Sequence, residues 1–476
     1  MNKLRNNIKC LPSTILFVVL ILCDVVFSQD SNIQKQIDEL RLRLNSVQEE
    51  TSDMRDTLDE IRAAEEGWLT EERADHIRLL VRDVLADADS RSSLVGAGLL
   101  GGWSDGFFLS SSDGRFKLNI GGLIQERLIV QYLRVGTGAN WDRWRGGMEN
   151  TRTRLEISGH IFDKDTTFLV QPGFGWSDPN AIANNTTIAI TARLWDAWVK
   201  FKMNENWSAK LGVFMLPFTR ESLVSDKYQL AVDRSLIDYR LGLARSGGVQ
   251  FIWTPDDSTR LFLSTSNGSV GLGSVRASPP WGALGADTDW SATARAEFLL
   301  QGEWSQFNMM TSPMGSERAA MVGVAVHAQN GERSGSGALK QDQTGVTADL
   351  SLHFDGATFF MSGTIHNQKD VATNIRNSDW VGYVFQASTY MTDTTEAFMR
   401  FEGGGIMQNS MGGDDVHILT SGVNWYLDGQ GLKVTSDFGW SFGEISAAME
   451  NFMVGWRATP NQNGEWLFRT QLQLAF

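Results

Sequence analysis

The chain is 476 residues long with a formal net charge of −14, from 42 Lys+Arg against 56 Asp+Glu, and 42% of it is hydrophobic. That hydrophobic content excludes a disordered chain, and the acidic total argues against a general nucleic-acid binder. The length suits two or three domains, or one large β domain with appendages.

Residues 1–28 read as a secretory signal. Lys3, Arg5 and Lys9 precede an apolar run from Leu11 to Phe27, and Val26-Phe27-Ser28 offers a cleavage position. An uncleaved anchor helix is the competing reading, opposed by Pro12 and Asp24 inside a short apolar run. Lipidation of Cys23 is opposed by the bulk of Leu22. Cys10 and Cys23 are the chain's only cysteines, and both lie in this segment. The exported chain is therefore expected to lack disulfides and thiol chemistry.

Residues 29–66 follow a heptad seam. Ile33, Ile37, Leu40, Leu44, Val47, Thr51, Met54, Leu58 and Ile61 alternate at spacings of four and three. Leu44 and Leu58 fall at a and the branched Ile33, Val47 and Ile61 at d, which favours trimers or tetramers over parallel dimers. One amphipathic helix docked on a globular domain is the alternative, although such helices usually show a wider apolar face. Residues 67–106 continue with a short helix, capped by Thr70 and apolar at Ile77, Leu80, Val81, Val84 and Leu85, then a Ser/Gly-rich linker from about 90. Gly96 to Gly101 imitates a dinucleotide fingerprint and Gly102 to Gly106 a nucleophile elbow, but neither has the surrounding elements that its chemistry needs.

From 107 to 476 the dominant signal is alternation of period two. Strands are expected near 115–133, 152–162, 166–174, 188–202, 206–215, 245–254, 259–267 and 290–301. Others are expected near 319–329, 344–354, 357–366, 380–391, 395–404, 416–427, 432–442 and 465–475. Glu303 to Met310 could be another strand; assigning it to a connection keeps short turns and long loops in strict alternation. Tight turns such as Asn204-Glu205-Asn206 and Asp355-Gly356 then fall on one side. On the final strand Trp466, Phe468, Leu472, Leu474 and Phe476 share one face, and Arg469, Gln471 and Gln473 the other. The expected fold class is all-β, a 16-stranded antiparallel transmembrane β-barrel preceded by an N-terminal α-helical coiled coil. An even strand number keeps both barrel ends in the periplasm, and sixteen strands enclose an aqueous channel.

The longest connection, about 216–244, carries Leu223, Leu230, Val232, Leu236 and Leu241, a pattern that a solvated loop does not need. Folded into the barrel, it would bury those residues and narrow the channel. Arg220, Lys227, Arg234, Arg240 and Arg245 lie on it or at its exit, beside Glu221, Asp226, Asp233 and Asp238. Arg152 and Arg154 are two residues apart and share a strand face. Such cations can compensate an anion for lost hydration. Equally, they can pair with the neighbouring acids and only hold the loop.

The run Leu211-Gly212-Val213-Phe214-Met215-Leu216-Pro217-Phe218, with Glu221, Asp233-Arg234-Ser235 and Gly248-Val249-Gln250, resembles the phosphate-selective porin O/P family. Thr151 to Leu155, Gly159 and Leu194 to Val199 strengthen the resemblance. It implies a homotrimeric outer-membrane porin passing small anions through an Arg-rich pore, with Arg152, Arg154, Arg220 and Arg234 at pore positions. Met215 departs from the Lys often found there in the family. The aromatic C-terminus, Phe476, reads as a membrane-insertion signal. No enzyme, cofactor or metal is expected, because His76, His160, His327, His353, His366 and His417 are scattered in sequence. The expected partners are outer-membrane lipid, further copies of the chain and small anions, and not nucleic acid. The coiled coil would sit in the periplasm, where a structural tether to the cell wall is the alternative role.

Overall fold

The computed structural model describes residues 99–103, 106–133, 143–175, 193–269, 288–331, 341–370, 377–406, 415–446, 449–451, 454–457 and 464–476. The signal, the coiled coil and the short helix lie outside the described residues. The strands are β1 (Leu99–Trp103), β2 (Phe107–Ser111), β3 (Lys117–Tyr132), β4 (Trp144–His160), β5 (Thr166–Gly173) and β6 (Arg193–Lys202). They continue as β7 (Trp207–Met215), β8 (Arg245–Asp256), β9 (Thr259–Ser266), β10 (Thr288–Gln301), β11 (Ala319–Gly331) and β12 (Gln341–Phe354). The last are β13 (Ala357–Asp370), β14 (Asn377–Thr392), β15 (Thr395–Ile406), β16 (Val416–Asp428), β17 (Leu432–Ser441) and β18 (Trp466–Ala475).

Strands β3 to β18 pair antiparallel with their sequence neighbours, and β18 pairs with β3, closing a sixteen-stranded barrel. Strands β3 to β18 are the counterparts of the sixteen expected strands, most ends agreeing within a few residues, and β1 and β2 are additional. β4 begins at Trp144 rather than near 152, because Gly146 and Gly147 break the apolar alternation without breaking the pairing to β3. The stretch expected as linker contains β1, whose glycines pair with β2 as regularly as its Leu and Trp residues do.

Burial along the strands is inverted relative to a soluble protein. In β11 Val324 and Val326 are exposed while His327 and Gln329 are buried. In β18 Phe468, Leu472 and Leu474 are exposed while Arg469, Gln471 and Gln473 are buried. An apolar exterior around a polar interior suits a barrel in lipid, where only closure satisfies every backbone group. Aromatic side chains gather at both ends. Trp144 packs against Trp466 at 5.2 Å beside the long loops, and Trp207 stacks on Trp253 at 5.6 Å beside the tight turns. The chain end completes the wall: Gly122 N–H donates to the Phe476 carbonyl at 2.8 Å, and the Phe476 N–H donates to Gly122 O at 3.1 Å. A side chain at Gly122 would collide with the Phe476 ring.

One connection on the tight-turn side is long. Between β10 and β11, residues 302–318 form a 3-10 helix over Trp304–Asn308 rather than a strand, so assigning that stretch to a connection is correct.

The pore constriction

The connection from β7 to β8 folds into the barrel. It contains α1 (Arg220–Leu223), a 3-10 turn (Asp226–Tyr228) and α2 (Leu236–Leu241). Leu230, Val232, Leu236 and Leu241 are buried as their pattern demands, and Leu223 is partly buried. Leu230, Leu236 and Leu241 pack with Phe360, Trp380, Val384 and Phe398 from the inner wall of β13 to β15. Gly382 makes this approach possible, since a Cβ there would stand 2.5 Å from Ile237 and 2.6 Å from Leu241. Gly382→Val should lift α2 and cost about 1–3 kcal/mol by overpacking. Thermal unfolding and protease cleavage within 216–244 would both report the change.

The residues of the resemblance build this loop from within. Glu221 accepts from the Ser235 N–H at 2.5 Å and its hydroxyl at 2.6 Å. Ser235 Oγ in turn accepts from the Asp238 N–H at 2.9 Å, capping α2. Arg234 bonds Asp226 at 2.5 Å and donates to the carbonyls of Glu221 and Val224.

Two loop carboxylates fasten the loop to the wall. Asp226 meets Arg152, Arg154 and Arg234; Asp233 meets Arg127, Arg152 and Arg469. Arg152 also donates to Tyr239 Oη at 2.9 Å and to Gln125 Oε1 at 2.9 Å. A one-residue bulge at Thr151 sets this arrangement. Gln125 pairs with Arg152 while Glu126 pairs with Asn150, so Thr151 is the extra residue. Arg152 and Arg154 face the lumen, as their spacing requires.

A small, partly open cavity lies between loop and wall, lined by Arg152, Arg154, Trp195, Asp226, Arg234, Tyr239 and Arg245. Guanidiniums surround the Trp195 indole: Arg154 at 4.1 Å, Arg245 at 4.6 Å and Arg193 at 5.0 Å. Arg245 also bonds Asp196 at 2.7 Å. The other expected residues lie elsewhere. Arg220 donates to the Phe307 carbonyl and stands 3.6 Å from Glu297. Arg240 lies 4.9 Å over Trp380, and Lys227 4.9 Å over Tyr228.

Two lysines on the inner wall were missed in the sequence. Lys200 on β6 and Lys210 on β7 are direct cross-strand partners, and Lys210 Nζ lies 4.9 Å from the Trp198 ring. Among the described residues neither has a carboxylate within ion-pair distance. Like charges placed opposite one another repel; Gln250 lies opposite Lys210 on its other side, then Ser264, and Asp196 acts on Lys210 from beyond ion-pair distance.

Residues 302–318 add a second inward element. Phe307 is buried against His353 at 4.9 Å and against Ala319 and Met321. The Met310 N–H donates to the Tyr228 carbonyl at 3.0 Å, and Thr311 Oγ1 donates to Glu396 at 2.7 Å. The two inward elements therefore touch, through Tyr228–Met310 and Arg220–Phe307.

A closed sixteen-stranded barrel with a polar, loop-narrowed lumen and an apolar outer wall defines an outer-membrane porin. Residues 145–370 match the family described as phosphate-selective porin O and P. No curated protein matches the chain by sequence. The solved structures similar to it share the fold at low identity. An anion-selective porin from Comamonas acidovorans is 13% identical with a TM-score of 0.52, over 75% of this chain and 99% of that one. The outer membrane channel DcaP of Acinetobacter baumannii is 11% identical at 0.50, over 79% and 100%. OmpF of Salmonella typhi, in complex with daunomycin, is 10% identical at 0.50, over 79% and 100%.

Proposed function

We propose that this porin passes small solutes by passive diffusion with a preference for anions, phosphate among them. The observation that carries the reading is the pair Lys200 and Lys210, set opposite each other on the inner wall with no ion pair among the described residues. Desolvated anions gain there what they lose in hydration. Arg152, Arg154, Arg220, Lys227, Arg234, Arg240 and Arg245 form the rest of the cationic lining, with much of their charge answered by loop acids. The protein works as a homotrimer in the outer membrane, with the coiled coil of residues 29–66 in the periplasm and Phe476 as its insertion signal.

Planar-bilayer recordings in a salt gradient test this. The reversal potential should lie on the anion side, and Lys200→Glu with Lys210→Glu should carry it towards cations. A cation-directed potential in the native protein would overturn the preference. Added phosphate should reduce chloride current; an unaffected current would remove phosphate alone from the reading.

A further inference from the structure

We propose that histidines of the inner wall form a proton-operated latch, which holds the two inward elements in neutral solution and releases them in acid. His327, His353 and His366 are buried on the lumen side of β11, β12 and β13. Each lies against a phenylalanine delivered by an inward element. Phe218, in the β7–β8 connection, stands 6.3 Å from His327 and 6.1 Å from His366, ring centre to ring centre. Phe307, in the β10–β11 connection, stands 4.9 Å from His353. The ion pairs of Asp226 and Asp233 use none of these groups.

Strand register builds the seat for Phe218. Thr293, His327, Gly345, His366 and Trp380 are successive cross-strand partners from β10 to β14. Gly345 leaves the gap: a Cβ there would stand 2.9 Å from the Phe218 ring, which sits beside two imidazoles 6.4 Å apart. His366 Nδ1 donates to the Leu241 carbonyl, at the end of α2, at 3.4 Å, while its Nε2 has no hydrogen-bond partner among the described residues. His327 is held by Thr293 and Gln329. At the second seat, Arg220 joins the two inward elements by donating to the Phe307 carbonyl.

Protonation breaks both seats in the same way. A charged imidazole packed against a phenylalanine ring has given up its water, and burying a charge without a partner is costly. The acids on neighbouring strands are already engaged: Asp349 and Glu297 pair with Arg295, which also donates to the Phe218 carbonyl. From α2, Asp238 accepts from Ser222, and Arg240 lies over Trp380, the neighbour of His366 in the row. Two protonated imidazoles on either side of Gly345 also repel one another. Once a phenylalanine has left, the imidazole meets pore water, where it takes a proton at about pH 6.5. That proton opposes the return, so acid favours the released arrangement and neutral pH the seated one.

Swelling of liposomes that contain the full-length protein tests the latch, with the uncharged trisaccharide raffinose outside so that ion selectivity plays no part. Swelling should speed up ~3-fold or more between about pH 7.5 and pH 5, a window that spans the value of a hydrated imidazole and stays above that of a carboxylate. The variant combining His327→Gln, His353→Gln and His366→Gln, uncharged throughout, should keep one rate. Heat-modifiable mobility reports whether its barrel has closed. Should it fail to close, His366→Gln alone, whose amide still offers a donor to Leu241, should lose much of the rise. A flat profile in the native protein overturns the latch, and so does an undiminished rise in whichever variant closes.

Discussion

Changing Asp226 and Asp233 together to asparagine should loosen the constriction and sharpen anion preference in one step. Five guanidiniums, on Arg127, Arg152, Arg154, Arg234 and Arg469, lose the carboxylates that join loop to wall. Breaking a buried ion pair from one side costs about 3–5 kcal/mol, so thermal unfolding should fall sharply while the reversal potential moves further towards anions. Acid should mimic the change. Burial alone would raise the Asp226 carboxyl, but Arg234, Arg152 and Arg154 hold it well below the ordinary range. Asp233 is lowered against the same burial by Arg127, Arg152 and Arg469. A carboxyl depressed by folding stabilises fully above its unfolded pKa, roughly 4. That contribution disappears as pH falls towards the folded value. Lowering the pH through this range should therefore open the native loop to protease and change the double variant much less. Equal acid sensitivity in both would show that these carboxylates do not hold the loop.

Replacing residues 303–317 by a short turn should raise single-channel conductance to a multiple of the native value. This segment enters the lumen from the tight-turn end and meets the constriction loop at Tyr228, so two inward elements narrow one path. The milder Phe307→Ala should cost about 3–5 kcal/mol of stability through the cavity it leaves. Unfolding midpoints and bilayer recordings together separate the effects. Unchanged conductance in the shortened protein would mean that the β7–β8 loop alone limits flow.

Much of the barrel was legible because its two solvents differ so strongly. On β18, Phe468, Leu472 and Leu474 alternate with Arg469, Gln471 and Gln473, and turns such as Asp355-Gly356 marked the ends. β1 escaped because its adjacent glycines resemble a linker. The early part of β4 escaped because Gly146, Gly147 and the bulge interrupt its rhythm. Within the site, the shared direction of Arg152 and Arg154 followed from spacing alone. Their partners did not, since Asp226 and Asp233 lie more than seventy residues on, in a loop whose path only tertiary packing decides. Lys200 and Lys210 were within reach: the turn at Asn204-Glu205-Asn206 fixes the hairpin register that sets them opposite each other.

The bulge at Thr151 has a consequence for comparing this chain with others. Period-two alternation is a code with a phase, and one inserted residue shifts that phase for everything downstream until the strand ends. An alignment that omits the gap at Thr151 would assign Asn150 or Arg152 to the wrong solvent and so mistake lipid-facing positions for pore-facing ones. Placing that gap is a decision about electrostatics, because a guanidinium read into the bilayer marks the alignment as out of phase.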